Sequence, residues 1–308
     1  MPDRAFPRVL LLVAALSISA PAGSHEALDR AFFIGLAASV IKVEARIGDG
    51  SYSLGTGVAI APGRVVTNCH VTRNAIQITL VKGSLRRPVV SQNADLEHDL
   101  CLLNAPSLDA PPVTMGSAKD LRVGQRVAAM GFTGGVDMGF REGFVHALHP
   151  HDGSQVIRSS TAFTSGASGG ALFDQSGRLV GILTFRLPGP AAHYYSAPSE
   201  WIARFPTNDD GFSRIGPLAD FRAFWQRPES ELPFFMRAAL LEADGNWPAL
   251  LNMANTWASA ENTGAEPWIA RGKAYLRMDR REFAADAFLR ATAIEPASGE
   301  AWFNLGLT

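Results

Sequence analysis

Charge, cysteine and long apolar stretches are all scarce in this chain, and each shortage removes a class of function. Only 19% of the 308 residues are charged, and the formal net charge is -1. That balance gives no electrostatic reason to expect nucleic acid or an anionic membrane as the main partner. Two cysteines, Cys69 and Cys101, are too few for a thiolate metal site, and neither looks like a nucleophile. Beyond the N-terminus no unbroken apolar stretch reaches the length that spans a bilayer. What is present is a 47% hydrophobic chain, long enough to bury a sizeable core and to hold two domains.

The N-terminus reads as a secretion signal over residues 1–22. Arg4 and Arg8 supply positive charge, Val9 to Leu16 form a short apolar core, and Ala20-Pro21-Ala22 offers the small residues a signal peptidase requires. Cleavage is expected after Ala22.

The middle of the chain is written in strands. Val40 to Arg46 alternates apolar and polar residues, and Gly57-Val58-Ala59-Ile60 and Arg64-Val65-Val66-Thr67 flank the turn Ala61-Pro62-Gly63. Further strands fit Ile76–Val81, Pro88–Val90, Leu100–Leu103 and Arg126–Gly131, and Ala171–Phe173 and Leu179–Leu183 flank a second turn. Many short strands with Gly/Pro-rich connections point to all-β barrels or a sandwich.

Three blocks in this region carry chemistry. A serine hydroxyl needs a base within hydrogen-bond reach, a carboxylate to orient that base, and amide donors for a developing oxyanion. Gly166-Ala167-Ser168-Gly169-Gly170 offers the serine, with glycines that let the backbone turn tightly and aim the amides of Gly166 and Ser168 at one point. Val65 to Val71 places His70 at the end of an apolar run, and His98-Asp99-Leu100-Cys101-Leu102-Leu103 places Asp99 at the head of another. The order His70, Asp99, Ser168 is a known chain order of a Ser-His-Asp triad.

Thr67-Asn68-Cys69-His70-Val71, Asp99 to Leu103 and Gly166 to Gly170 resemble the three signature blocks of trypsin-like serine proteases, nearest the bacterial Deg/Htr-like branch. The resemblance runs from about Val40 to Phe205. It implies two packed six-stranded antiparallel β-barrels with the active cleft between them, His70 and Asp99 on the first and Ser168 on the second. It further implies general base, orienting carboxylate and acyl-forming nucleophile in that order, and an oxyanion hole from the amides of Gly166 and Ser168. The segments bearing Cys69 and Cys101 lie against each other in the resembled fold, which implies a Cys69–Cys101 disulfide in an oxidising, periplasmic or secreted bacterial location. Ala167 departs from the usual Asp or Asn, so it cannot pair with a freshly cut N-terminus, and propeptide activation is not expected. By the same resemblance, Ala162 and Phe163 line one wall of the primary pocket and Leu183, Thr184 and Phe185 another. Ala162 stands where cleavage after Arg or Lys would need an acid, so small or medium apolar residues are expected there.

His146, His149 and His151 invite a zinc reading, but they lie beside Pro150 and Gly153 without a carboxylate or thiolate at a recognisable offset, so no metal or cofactor is expected. His98 reads as a surface neighbour of Asp99. Ser199 reads as the cap of a short helix, Glu200 to Arg204.

After Phe205 the composition changes. Residues 207–232 read as linker, and the period beyond them becomes helical. Trp268, Gly272, Tyr275, Ala284, Phe288, Ala291 and Pro296 fall at the spacings of a tetratricopeptide repeat, and Trp302 restarts the pattern 34 residues after Trp268. A degenerate upstream unit runs from Phe234 to Pro267, with Trp257 and Asn262 in place of the expected small residue and proline. The expected organisation is therefore a signal over 1–22, a protease domain over 30–206, a linker, and a short tetratricopeptide-like array over 233–308. Two functions compete: an exported serine endopeptidase acting on polypeptides, its helices recruiting a protein or peptide, and a protease-like binding or scaffold protein that no longer cleaves.

Overall fold

A computed structural model of the chain describes residues 34–187, 193–220, 222–261 and 264–308. The expected signal segment, residues 1–22, lies outside the described residues, as does Asn262. Alternating apolar residues build two β units in succession. In the first, β1 (Val40–Ile47), β2 (Tyr52–Ala61), β3 (Arg64–Asn68), β4 (Ala75–Lys82), β5 (Leu85–Pro88), β6 (Ser91–Asp95) and β7 (Leu100–Asn104) form an antiparallel sheet. In the second, β8 (Arg126–Thr133), β9 (Asp137–His151), β10 (Ser154–Ser159), β11 (Ala171–Asp174), β12 (Leu179–Leu187) and β13 (His193–Pro198) close into a six-stranded barrel, in the order β10-β13-β12-β11-β8-β9.

The first unit departs from the closed barrel that the family resemblance implies. Its order is β14-β6-β7-β3-β2-β1-β4-β5, an eight-stranded sheet whose last member, β14 (Ser213–Arg214), comes from the expected linker. β14 takes the free edge of β6, so β6 cannot pair with β5. The sheet still curls: just after β5, Val89 N–H donates to Ile78 O and Val90 N–H to Asn104 O, at 3.0 and 2.8 Å.

Strand alternation sorts the core. On β3, Val65 joins Ile41, Val43, Ile78 and Leu103 inside the first sheet, whereas Val66 joins Leu100, Met130, Phe173 and Ile182 in a cluster that fuses both units. Val127, Val145, Ile157 and Leu172 fill the barrel. A one-turn helix, α1 (Cys69–Thr72), follows β3, and α2 (Ser199–Ile202) follows β13. Ser199 lies inside α2 rather than capping it, because its hydroxyl is committed to Gly116 O at 3.0 Å.

Five helices follow, α3 (Phe234–Ala243), α4 (Trp247–Ala260), α5 (Glu266–Arg277), α6 (Arg281–Ile294) and α7 (Gly299–Leu305), each packing on its neighbours in sequence. Local rules set their starts: Asn246 caps α4 and Ser298 caps α7, and Pro248 and Pro267 occupy first-turn positions where no amide partner is needed. A side chain on Gly272 would lie 2.5 Å from the Phe288 ring, so only glycine lets α5 and α6 approach this closely. The helices dock on the barrel through Phe235, stacked on His149 with centroids 4.1 Å apart. Beside that stack lies a buried ionic cluster. Arg158 of β10 pairs with Glu266 at 3.2 Å and Glu300 at 2.6 Å, and Lys273 pairs with Glu242 and Glu300.

Candidate active site

His70 sits on α1 directly after β3, and Asp99 sits at the turn before β7. Because β3 and β7 pair along their whole length, ending at Asn68↔Leu100, the two residues emerge side by side. Asp99 adopts φ 59°, a left-handed setting that aspartate tolerates better than most residues. Its carbonyl accepts from Cys69 N–H at 3.1 Å and Asn68 Nδ2 at 2.9 Å. Its carboxylate, 2% exposed, accepts from His70 N–H at 2.8 Å and faces His70 Nδ1 at 2.6 Å. With Nδ1–H given to Asp99, Nε2 carries the free lone pair and can act as a base. The Cys69–Cys101 disulfide ties the same two segments, with Cα atoms 4.9 Å apart.

Ser168 approaches from the barrel. Its loop is bonded to β2, the neighbour of the strand that leads to His70: Thr56 N–H donates to Ser168 O at 2.8 Å, and Thr56 Oγ1 donates to Gly166 O at 2.7 Å. Thr67 Oγ1, three residues before His70, donates to Thr56 O at 2.6 Å. Gly169, at φ 85°, is wedged so tightly that a side chain there would lie 2.0 Å from Thr56 O and 3.1 Å from Asn68 N. Ser168 is half-buried, and among the described residues its hydroxyl makes no hydrogen bond to His70.

The amides of this loop divide into two sets. Those of Ala167, Gly169 and Gly170 bond Thr164 O, Leu183 O and Ala167 O at 3.1, 2.8 and 2.9 Å, whereas those of Gly166 and Ser168 find no acceptor among the described residues. Gly134 N–H holds Ser165 O at 2.7 Å, and in a trans peptide this turns the Gly166 N–H the opposite way. Two free donors flanking the serine suit an oxyanion. Gly166, at φ 91°, would place a side chain 2.3 Å from Gly135 N, so glycine is required there.

The residues expected to line the primary pocket are distributed around this loop. Ala162 is exposed, and Phe163 packs on Tyr194 at 5.3 Å. Leu183 is buried against the loop; both its amide and its carbonyl bond it, to Gly170 O and from Gly169 N–H. Thr184 turns its hydroxyl away, donating to Ile182 O at 2.7 Å and accepting from Asn68 Nδ2 at 3.3 Å. Phe185 stacks on Trp225, centroids 5.0 Å apart.

Three supporting residues carry no motif of their own: Thr56, Gly134 and Trp225. Asn68 lies inside the histidine block and Thr184 among the expected pocket residues, but the bond between them has no local pattern. His98, expected at the surface, is 5% exposed and lies between Asp95 and Asp152, at 2.7 and 2.8 Å, with the Trp201 ring tilted against it at 4.1 Å. Its two carboxylate partners and the indole explain why it is covered. On β9, His146 falls on the face opposite His149 and His151, so the three rings do not converge, and no group of three metal-binding side chains occurs among the described residues.

Residues 55–182 match the family model of the trypsin-like peptidase domain. Fold and site together therefore define the β portion as a trypsin-like serine-peptidase domain. Within that class its similarity is to Deg/Htr-like proteases. The chain is 36% identical over 138 residues to a "probable periplasmic serine endoprotease DegP-like" of Halomonas elongata, covering 42% of this chain and 29% of that protein. It is 34% identical over 133 residues to "protease Do-like 1, chloroplastic" of Arabidopsis thaliana, covering 40% of this chain and 30% of the relative. The matched region thus spans about three tenths of either relative's length. Among solved structures, the HtrA-type protease AlgW with tripeptide aligns with a TM-score of 0.50 at 26% identity, over 54% of this chain and 57% of that one. A protease from M. tuberculosis in its active form shares the fold, with a TM-score of 0.55 over 63% of this chain and 89% of its own, at 20% identity.

Proposed function

We propose that this chain is an exported, periplasmic serine endopeptidase in which His70, Asp99 and Ser168 cleave polypeptides through an acyl-enzyme. One observation carries the reading: the His70 ring is fixed by a buried carboxylate while two amides with no acceptor among the described residues flank the serine, on a loop bonded to β2 beside the strand that leads to His70. In the reaction His70 Nε2 takes the Ser168 hydroxyl proton as Oγ attacks the scissile carbonyl. The amides of Gly166 and Ser168 hold the oxyanion, and His70 returns the proton to the leaving amine. Water then repeats the sequence in reverse roles and frees the enzyme. Asp99 keeps its charge throughout and stabilises the imidazolium.

The periplasm suits this chemistry, because an oxidising compartment maintains the Cys69–Cys101 bridge. Apolar residues Ala162, Phe163 and Leu183 favour small or medium apolar side chains on the acyl side of the cut. The five helices are read as a tetratricopeptide-like array over 233–308 that recruits a protein or peptide, supported by the close Gly272–Phe288 contact and by the buried Ala284 and Ala291. Fluorogenic peptides ending in Val, Ala or Leu should be cut faster than those ending in Lys or Arg, and the Ser168→Ala variant should cut none of them. Faster cleavage after Lys or Arg refutes the pocket assignment, and cleavage by Ser168→Ala refutes the triad.

A further inference from the structure

We infer that Trp225, carried by the segment between barrel and helices, forms a wall of the substrate subsite next to the scissile bond and restricts that subsite to small side chains. The inference rests on the peptidase reading above. Three observations lead to it.

The segment is fixed to the frame of the dyad. Phe224 N–H donates to Glu97 O at 3.0 Å, Arg227 pairs with Glu97 at 2.6 Å, and Leu218 N–H donates to Arg73 O at 2.7 Å. Glu97 lies two residues before Asp99, and Arg73 directly follows α1. Phe224, 2% exposed, is set among His151, Trp201 and Phe185. The position of the next residue is therefore determined by the fold, with no ordering cost left for substrate binding.

Trp225 then fills the angle between His70 and β12. Its indole lies parallel to the Phe185 ring, 5.0 Å away at 8°, and meets the His70 ring edge-on at 5.8 Å and 83°. The indole N–H is buried without a hydrogen-bond partner among the described residues, so ring contacts hold the side chain.

The third observation is the route that a substrate must take. β11 pairs with β12 only as far as Ala171↔Ile182, and Leu183 bonds the serine loop. From Thr184 onward that edge of β12 has no strand partner among the described residues. An extended peptide can add to such an edge through main-chain hydrogen bonds. With its reactive carbonyl at Ser168, the side chain one position before the cleaved residue meets the His70 and Trp225 rings, the indole being backed by the buried Phe185. A methyl group can lie against these two rings without moving them, whereas a leucine or phenylalanine side chain would have to displace the indole from its stack.

The test compares peptides that share one cleaved residue and differ in the residue before it, as Gly, Ala, Leu or Phe. The wild type should favour Ala over Leu and Phe by about 10- to 100-fold in kcat/KM. Trp225→Ala should bring that ratio close to one, mainly by lowering KM for the bulky peptides, and Trp225→Phe should fall between. Each ratio is measured on one preparation, so partial loss of folded protein cancels. Equal rates for all four peptides in the wild type, or an unchanged ratio in both variants, overturns the inference. Failure of a fluorophosphonate probe to label Ser168 in the same preparations instead removes the peptidase reading, and this inference with it.

Discussion

Thr56→Val is the sharpest probe of how the oxyanion loop is held. Thr56 is completely buried, and its hydroxyl accepts from Phe132 N–H at 2.9 Å while donating to Gly166 O at 2.7 Å. Valine preserves the shape of the side chain and leaves the main-chain bonds to Ser168 and Thr67 in place. It deletes both hydroxyl bonds and strands one amide and one carbonyl without water. At about 0.5–1.5 kcal/mol each, the two bonds contribute roughly 1–3 kcal/mol to keeping the Gly166 carbonyl, and with it the serine loop, in register with β8. If that register is what presents the Gly166 amide, kcat/KM should fall about 5- to 150-fold. Fluorophosphonate labelling of Ser168 should slow in proportion, and Thr56→Ser, which keeps the hydroxyl, should recover most of both. Wild-type labelling by Thr56→Val refutes the reasoning. So does a Thr56→Ser variant as slow as Thr56→Val.

Two further perturbations test the frame of the site and the docking of the helices. Replacing Cys69 and Cys101 together by serine removes a bridge of sequence separation 32 and should cost about 3–4 kcal/mol of stability by loop entropy, read from urea unfolding of oxidised wild type and variant. Acid should loosen the helix–barrel interface. Burial, then the neighbouring Arg158 guanidinium, holds His149 well below its ordinary 6.5, and the same two causes hold His193 down to about 3. Both are neutral in the folded chain, so the unfolded state binds more protons once the pH drops below about 6.5, and their contribution is lost progressively from there toward pH 3. Burial pushes the Glu300 carboxyl up, but Arg158 and Lys273 outweigh it and hold it well below the carboxylate range, which adds to the loss at lower pH. The thermal midpoint should fall between pH 7 and 4, and a His149→Phe, His193→Gln double variant should flatten the fall; an equal slope in the variant contradicts this assignment.

The parts of the candidate site were legible because each is a short local block. Thr67 to Val71, Asp99 to Leu103 and Gly166 to Gly170 are each common alone, and it is the three together, in that order, that point to one kind of site. What holds the blocks together left no such mark. Thr56 acts on Gly166 across 110 positions and Asn68 reaches Thr184 across 116, so their roles arise from strand pairing and have no local pattern. Trp225 lay in a stretch whose Pro and polar residues read as linker, and only the path of the chain brings it to His70. The same limit explains the first sheet. The alternation in β1 to β4 identified the strands, but whether β6 meets β5 or β14 depends on a two-residue strand, Ser213–Arg214, more than a hundred positions downstream. His98 misled for a similar reason, since its second carboxylate, Asp152, and Trp201 come from the other β unit.

The central claim, that His70 and Asp99 activate Ser168, is tested most directly by mapping where a fluorophosphonate probe attaches. The account predicts a single adduct on Ser168, absent from Ser168→Ala and formed at least about a thousandfold more slowly in His70→Ala. A folded wild type that takes no label, or a label that persists when Ser168 is alanine, would contradict it.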